Sequence, residues 1–168
     1  MTSKGTEQAA DAILIALRRV IRAVELHSRK LVQSHGLTGP QSVILREVIA
    51  AGGLTPGELA RRVSVSQATV TDIVKRLEAR KLLQRHPDSA DRRRVMVKAT
   101  RAGERLHASA PPLLQETFVQ RFASLPDWEQ HMLLAALQRT AMLMDAENID
   151  ASPLLTSGPV DAPPEAFD

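Results

Sequence analysis

Three consecutive arginines, Arg92, Arg93 and Arg94, follow Asp91 in the stretch DSADRRRVMVKAT. Guanidinium groups this close repel one another, so the cluster either lies in open water or meets something negative. DNA supplies phosphates and also grooves whose negative potential attracts arginine. We therefore expect the three arginines to bind DNA. We expect Asp91 to hold the loop in shape by accepting hydrogen bonds from loop amides or from a neighbouring guanidinium.

A second set of polar residues lies earlier in the chain. Val70, Ile73, Val74 and Leu77 recur at helical spacing, which predicts an amphipathic helix over 66–80 whose polar residues lie away from the apolar stripe. Glutamine can pair with two atoms of adenine, and threonine offers a hydroxyl and a methyl group to base edges. The residues of this helix predicted to contact DNA are Ser66, Gln67, Thr69, Thr71, Lys75 and Arg76.

Both sets also have a plainer interpretation as solvated surface. Ser66 and Thr69 could serve only as a helix cap, and Lys75 and Arg76 resemble the pairs that any exposed helix carries. The charge distribution favours DNA, because 13 Lys or Arg but only 6 Asp or Glu lie within 58–105, whereas the whole chain has a net charge of only +3. A basic middle flanked by acidic ends is typical of a protein that binds double-stranded DNA.

Other chemistry has little support in the sequence. The chain has no cysteine, which excludes disulfides and thiol switches. His27 and His35 could share one helix face, but no cysteine or carboxylate cluster accompanies them, so we expect no metal and no other cofactor. No Ser-His-Asp order, glycine-rich phosphate loop or pair of catalytic carboxylates stands out, so we expect no enzyme activity.

The elements that position these residues are mostly helices. Aromatic residues make up only 2% of the chain, so the core must consist of Leu, Val, Ile and Ala, which favours helices. After Lys81 the apolar period changes to two, which predicts two strands joined by the arginine-bearing loop. Capping residues and apolar spacing predict four helices, over 8–34, 38–51, 56–63 and 66–80, followed by a hairpin over 83–99. A further helix is predicted to start at Thr100 and to bend or break at Pro111 and Pro112. A last helix is predicted after Leu125, Pro126 and Asp127.

Two short helices, a tight turn, a polar-faced second helix and a basic hairpin describe a winged helix-turn-helix. We expect a fold that is mainly α with a small β-hairpin wing and a helical dimerisation region. The recognition helix 66–80 would enter the major groove, and the wing 83–99 would reach the neighbouring minor groove. We assign 37–100 to the DNA-binding domain, 1–36 and 101–148 to the dimerisation region, and 149–168 to an acidic, proline-rich tail.

The two terminal helices predict a homodimer. Leu14, Leu17, Ile21 and Val24 repeat at steps of three and four along a first helix that is too long for a small domain to cover alone. A helix buried within one chain is the alternative. The last helix adds an apolar set that comprises Trp128, Met132, Leu133, Leu137 and Met144.

The ends of the sequence carry further expectations. No run of 18 apolar residues occurs, and the N-terminus MTSKGTEQ lacks the apolar run of a signal peptide, so we expect a cytoplasmic, nucleoid-associated protein with no membrane partner. Four prolines within 153–168 predict a mobile or loosely docked tail that folding does not require.

The stretch SQATVTDIVKRLEARKLLQR, followed by PDSADRRRVMVKATRAGERL, resembles the MarR (multiple antibiotic resistance regulator) family of bacterial repressors. The resemblance covers about residues 10 to 145 and is most specific at Asp91-Arg92-Arg93 and at the strand that runs into Thr100-Arg-Ala-Gly. It implies a homodimer whose terminal helices form the base and whose two reading heads bind a pseudo-palindromic operator. It also implies a cleft between base and head where many members bind a small-molecule effector.

The sequence departs from the family pattern in three places. Lys81 stands where a glycine commonly ends the recognition helix, so a left-handed cap there would be strained or absent. Asp72 and Lys75 invert a frequent basic-then-acidic order, so the base preference cannot be carried over. Arg94 replaces a residue that is usually small, which suggests a more heavily charged wing.

Two functions from different classes fit this sequence. One is a dimeric, ligand-responsive transcriptional repressor, and the other is a winged-helix module that binds protein instead of DNA. The arginine-rich wing favours DNA. The lack of cysteine argues against the peroxide-sensing branch of the family. The stretch LHSRKLVQSHGLTGPQ is similar to a branch that controls compatible-solute genes, although a chain with one Trp and no Tyr is poorly equipped to cage a quaternary ammonium group.

Overall fold

The computed structural model describes residues 3–87 and 94–149. Within these residues the chain forms seven helices and one antiparallel pair of strands, so the predicted fold class is confirmed. The elements in chain order are α1 (Ser3–His35), α2 (Gly39–Ala51), α3 (Pro56–Val63), α4 (Gln67–Ala79), β1 (Leu83–Pro87), β2 (Val95–Ala99), α5 (Arg101–Ser109), α6 (Leu114–Ala123) and α7 (Asp127–Leu143).

Capping residues set the boundaries of the short helices. The Thr55 hydroxyl accepts a hydrogen bond from the Glu58 amide at 3.3 Å, and the Glu58 carboxylate accepts one from the Thr55 amide at 2.8 Å. This reciprocal box satisfies two amides that the first turn of α3 leaves without partners. Thr38 and Gln41 form the same box at the start of α2, and Ser66 caps α4. The predicted starts of these three helices are confirmed.

The hydrophobic core lies in the head formed by α2, α3, α4 and the hairpin. Helix α2 runs through its centre, and four apolar residues of α4 face it. The fully buried side chains are aliphatic apart from one glutamine, as the low aromatic content predicts. The largest are Leu31, Leu37, Ile44, Leu45, Leu59, Ile73, Leu77, Gln41, Val48, Val70, Val74 and Val97.

The hairpin is anchored to the head by a third short segment. Leu83 pairs with Ala99 and Pro87 with Val95, so the two strands are in register along their whole length. Leu54 and Val97 exchange two backbone hydrogen bonds of 3.0 and 2.8 Å. The sequence pattern predicts the hairpin but not this bridge, because Leu54 lies more than forty residues from Val97.

The predicted break at Pro111 and Pro112 is confirmed. Helix α5 ends at Ser109 and α6 begins at Leu114, because neither proline can donate an amide to the preceding turn. Leu113 is buried, and its amide donates to the Glu116 carboxylate at 3.1 Å.

Long apolar surfaces of α1, α6 and α7 remain uncovered in the single chain. Among the described side chains of α1, only Ser28 and Leu31 are buried, whereas α6 and α7 bury none. Trp128 is 67% exposed and Leu137 57%. The apolar surface from which we predict a dimer therefore remains exposed when a single chain folds. No helix in the described part of the chain is long and apolar enough to cross a membrane. The tail from Asp150 onward lies outside the described residues.

Candidate nucleic-acid interface

Helix α4 presents the predicted polar residues on one side of the head. Val70, Ile73, Val74 and Leu77 are buried, which confirms the predicted apolar stripe. Gln67 is exposed at the start of the helix. The remaining predicted base and phosphate contacts on α4 lie on its solvent-facing or half-exposed sides, at Thr69, Thr71, Lys75 and Arg76.

The hydroxyl groups of this helix are partly engaged in local hydrogen bonds. The Ser66 hydroxyl accepts from the Thr69 amide at 3.1 Å and shares a hydrogen bond of 2.8 Å with the Thr69 hydroxyl. The Thr71 hydroxyl donates to the Gln67 carbonyl at 2.8 Å. A hydroxyl has one donor and two acceptor positions, so each keeps capacity for a DNA contact. Capping is nevertheless the role that the geometry gives to Ser66.

Lys75 lies beside an acidic neighbour on the exposed face. Its ammonium group is 3.5 Å from the Asp72 carboxylate, one turn earlier in α4, and both side chains are largely exposed. An exposed pair of this kind contributes little to stability and is readily exchanged for another anion. The inverted order of these two residues therefore leaves Lys75 able to turn to a phosphate.

The wing is joined to the helices at its foot. Arg94 forms an ion pair of 3.1 Å with Glu58 at the start of α3, and Arg85 forms one of 3.2 Å with Glu78 near the end of α4. The structure thus places Arg94 against a protein carboxylate. The predicted loop residues Asp91, Arg92 and Arg93 lie outside the described residues.

Glu58 is held in its charged form. Hydrogen bonds from the Thr55 backbone and side chain lower the pKa of this carboxyl group, the Arg94 guanidinium lowers it further, and desolvation acts in the opposite direction. One carboxylate therefore both caps α3 and holds the foot of the wing, because it stays ionised over the physiological pH range.

The left-handed cap at the end of α4 is present although Lys81 has a side chain. Lys81 has a φ of 58°, and its amide donates to the Glu78 carbonyl at 2.8 Å while the Leu82 amide donates to Leu77 at 2.9 Å. These two bonds form a Schellman motif, which normally uses glycine at the left-handed position. The sequence predicts that a left-handed cap at Lys81 is either strained or absent. The cap is present, so the strained alternative is the correct one.

Two residues to which the sequence assigns no contact lie near this end of α4. The Arg80 guanidinium donates to the carbonyl oxygens of His35 and Gly36 at the end of α1. Gly103, in the first turn of α5, packs against the backbone of Leu82. The sequence around Arg80 shows only that the residue is basic, and the sequence around Gly103 shows only that the residue is small. Neither property indicates which distant residue it contacts.

Two cavities lie beside α2, one against α6 and the other against the α5–α6 break. Their volumes are about 320 and 340 Å³, and Arg46, Leu113 and Glu116 line both. Arg46 forms an ion pair with Glu116 across the gap and another of 3.1 Å with its neighbour Glu47. A guanidinium in a partly apolar cleft of this size is suited to a small anion.

The two histidines of α1 contact the residues on either side of the α5–α6 break. His27 Nε2 accepts from the Leu114 amide at 3.2 Å, and His35 Nε2 donates to the Ser109 carbonyl at 3.0 Å. Burial, and secondarily Lys30, lowers the pKa of His27. Within the described residues no group of three or more His, Cys, Asp or Glu could hold a metal ion.

The comparisons with known proteins agree with this geometry. The MarR-family model matches residues 35–94, from the end of α1 to the foot of the wing. YsmB of Bacillus subtilis, an uncharacterized HTH-type transcriptional regulator, is 31% identical over 147 residues, which cover 88% of this chain and 97% of YsmB. The chain belongs to the MarR family. NicR of Pseudomonas putida, an HTH-type transcriptional repressor, is 35% identical over 103 residues, which cover 61% of this chain and 65% of NicR.

A solved structure extends the similarity to the MarR fold. BpsR of Bordetella bronchiseptica, whose DNA binding is regulated by 6-hydroxynicotinic acid, superposes with a TM-score of 0.55 at 28% identity and covers 75% of this chain and 90% of its own. YsmB and NicR are transcriptional regulators, and BpsR binds DNA. As a MarR-family member with a helix-turn-helix and both strands of the wing, the protein is a DNA-binding transcriptional regulator, and the protein-interaction alternative is disfavoured.

Proposed function

We propose that the protein is a homodimeric, ligand-responsive repressor that binds a pseudo-palindromic operator through α4 and the wing. The observation that carries this proposal is the contrast between a head with a complete aliphatic core and terminal helices whose apolar side chains are mostly exposed. The uncovered apolar surface of α1 and α7 needs a partner, and a second copy offers an identical surface. A repressor acts on the bacterial nucleoid, so we place it in the cytoplasm.

Within this proposal the two DNA-reading elements act differently. Gln67 and Thr69 contact base edges in the major groove. Arg92 and Arg93 instead contact phosphates and are attracted by the negative potential of the neighbouring minor groove. Lys75 and Arg76 contribute phosphate contacts. Thr71, on the preceding turn of α4, is a further DNA contact. Arg94 contacts phosphate only after it leaves Glu58, so its main role is to hold the foot of the wing.

Fluorescence anisotropy across a salt series separates these roles. Arg93→Ala is expected to weaken binding to operator and non-specific DNA alike, and to reduce the slope of log affinity against log salt by about 0.9 for each phosphate that the protein no longer neutralises. Gln67→Ala is expected to cost about 1 to 3 kcal/mol per half-site on the operator only. Loss of operator preference in Arg93→Ala at an unchanged slope would make the wing a base reader. If neither substitution affected DNA binding, the protein-interaction alternative would replace the proposal.

For the effector we propose a small aromatic carboxylate bound in the cleft beside Arg46. The effector carboxylate would take the place of Glu116 on the guanidinium, and Glu116 would keep its hydrogen bond from the Leu113 amide. Release of this ion pair would loosen α6 from the reading head. The relative BpsR, regulated by an aromatic carboxylic acid, supports this class over a compatible solute.

Thermal unfolding with 6-hydroxynicotinic acid, benzoate and benzamide tests the effector class. We expect the two carboxylates to raise the Tm and the uncharged amide to leave it unchanged. Arg46→Gln should abolish the shift. Arg62→Gln should preserve it, because Arg62 pairs with Glu47 outside the two cavities. Equal shifts with the amide and the carboxylates would rule out recognition by Arg46.

A further inference from the structure

The C-terminal end of α4 is fixed to both helices that lead out of the reading head. We name Arg80, Lys81 and Leu82 the α4 joint. On one side, Arg80 Nη2 donates to the His35 carbonyl at 3.3 Å and Arg80 Nη1 donates to the Gly36 carbonyl. These carbonyls end α1 and have no partner within the helix, and a positive charge there also complements the helix dipole.

On the other side, the joint is bonded to the start of α5. The Thr100 hydroxyl donates to the Lys81 carbonyl at 2.7 Å, and the Thr100 amide donates to the Leu82 carbonyl at 3.0 Å. The same hydroxyl accepts from the Gly103 amide and thereby caps α5. These short hydrogen bonds hold the backbone of Lys81 and Leu82 against the first turn of α5, so α4 and α5 have little freedom to move relative to each other.

The α1 side rests on far fewer contacts. Ser28 and Leu31 are the only buried residues among the described side chains of α1. His27 and His35 bond α1 to the two sides of the α5–α6 break, at Leu114 and Ser109 respectively. Arg80 bonds the end of α1 directly to the end of the recognition helix.

We propose that Arg80 is a positioning residue that fixes the angle between α1 and α4 and thereby sets the distance between the two recognition helices of the dimer. This inference rests on the proposed function, in which α1 belongs to the dimer base. A dimer must place its recognition helices about one turn of DNA, roughly 34 Å, apart. A small rotation at the α4 joint is magnified over that distance, so loss of Arg80 relaxes the spacing requirement without changing any base contact.

The test measures the affinity of full-length protein for an operator at its native half-site spacing and with two base pairs inserted between the half-sites, each across a salt series. For the wild type we expect the insertion to lower affinity at least about tenfold. For Arg80→Met we expect weaker binding to the native operator, a ratio near one between the two spacings, and unchanged affinity for non-specific DNA. Arg80→Lys keeps a donor and a charge at the α1 terminus and should recover part of the ratio.

Arg101→Met is the matched control, because Arg101 is an exposed arginine at the start of α5; it should leave the spacing ratio at the wild-type value. A salt slope lowered by about 0.9 in Arg80→Met, with the spacing ratio intact, would show that Arg80 binds phosphate and would overturn the inference. A wild-type ratio in Arg80→Met at an unchanged slope would also overturn it. A monomeric wild type, or a wild type without spacing preference, would instead overturn the proposed function together with this inference.

Discussion

The Leu82 carbonyl oxygen occupies the space into which a side chain at position 103 would extend, because a Cβ on Gly103 would lie 2.2 Å from it. Alanine normally stabilises a helix relative to glycine by about 1 kcal/mol. At position 103 the clash with rigid backbone reverses the sign.

Gly103→Ala is therefore expected to lower the free energy of unfolding by about 1 to 3 kcal/mol, as overpacking does elsewhere. Gly57→Ala is the matched control, since its added Cβ would meet nothing closer than the Gln67 side chain at 4.0 Å. We expect Gly57→Ala to be neutral or slightly stabilising. Urea unfolding of both variants measures the difference, and a Gly103→Ala protein as stable as the wild type would contradict the close packing at the α4 joint.

Lys81→Gly should stabilise the protein by about 1 kcal/mol. A left-handed residue with a side chain is strained by roughly that amount, and glycine removes the strain while the Schellman hydrogen bonds remain. Ala79→Gly, two residues earlier and still within α4, should destabilise by about 1 kcal/mol. Opposite signs in thermal unfolding are expected, and a destabilised Lys81→Gly would mean that the lysine side chain makes a compensating contact.

His27 makes stability depend on pH on the acidic side of neutrality. Burial lowers its pKa from 6.5 in the folded state, so the unfolded chain takes up a proton first as the pH falls. Its contribution is complete above the unfolded pKa and is lost as the pH falls below it. We expect His27→Gln, which keeps an acceptor for the Leu114 amide, to lose less stability than the wild type between about pH 7.5 and about pH 5, where Asp and Glu titrate little. Identical pH profiles would contradict this role.

A charge on the exposed face of α7 should separate the proposed dimer. Sedimentation of the wild type is expected to give twice the chain mass of 18.4 kDa, and Leu137→Glu should give the chain mass itself because a carboxylate would be buried in the apolar interface. Gln138→Glu adds the same charge one residue along and is the control. Trp128 fluorescence should shift to the blue on dimerisation. A monomeric wild type would contradict the use of these helices as a dimer base.

The sequence predicts those features whose causes are local. Thr55 and Glu58 lie three residues apart and define the start of α3, and Pro111 and Pro112 break a helix wherever they stand. The contacts of the α4 joint have no such signal, because Arg80 meets carbonyls more than forty residues earlier in the chain. Arg94 is a similar case: the sequence shows three adjacent arginines, and only folding brings the third beside Glu58. Long-range pairing of this kind depends on the whole fold rather than on periodicity or caps.

Hydroxyl-radical footprinting of the DNA upstream of the protein's own gene tests most directly whether the protein reads an operator through α4. We predict two protected segments about one helical turn apart on an inverted repeat, with the protection lost for Gln67→Ala at a concentration where the wild type saturates the site. Uniform cleavage, or equal protection of a scrambled sequence, would contradict a regulator that reads its operator through α4.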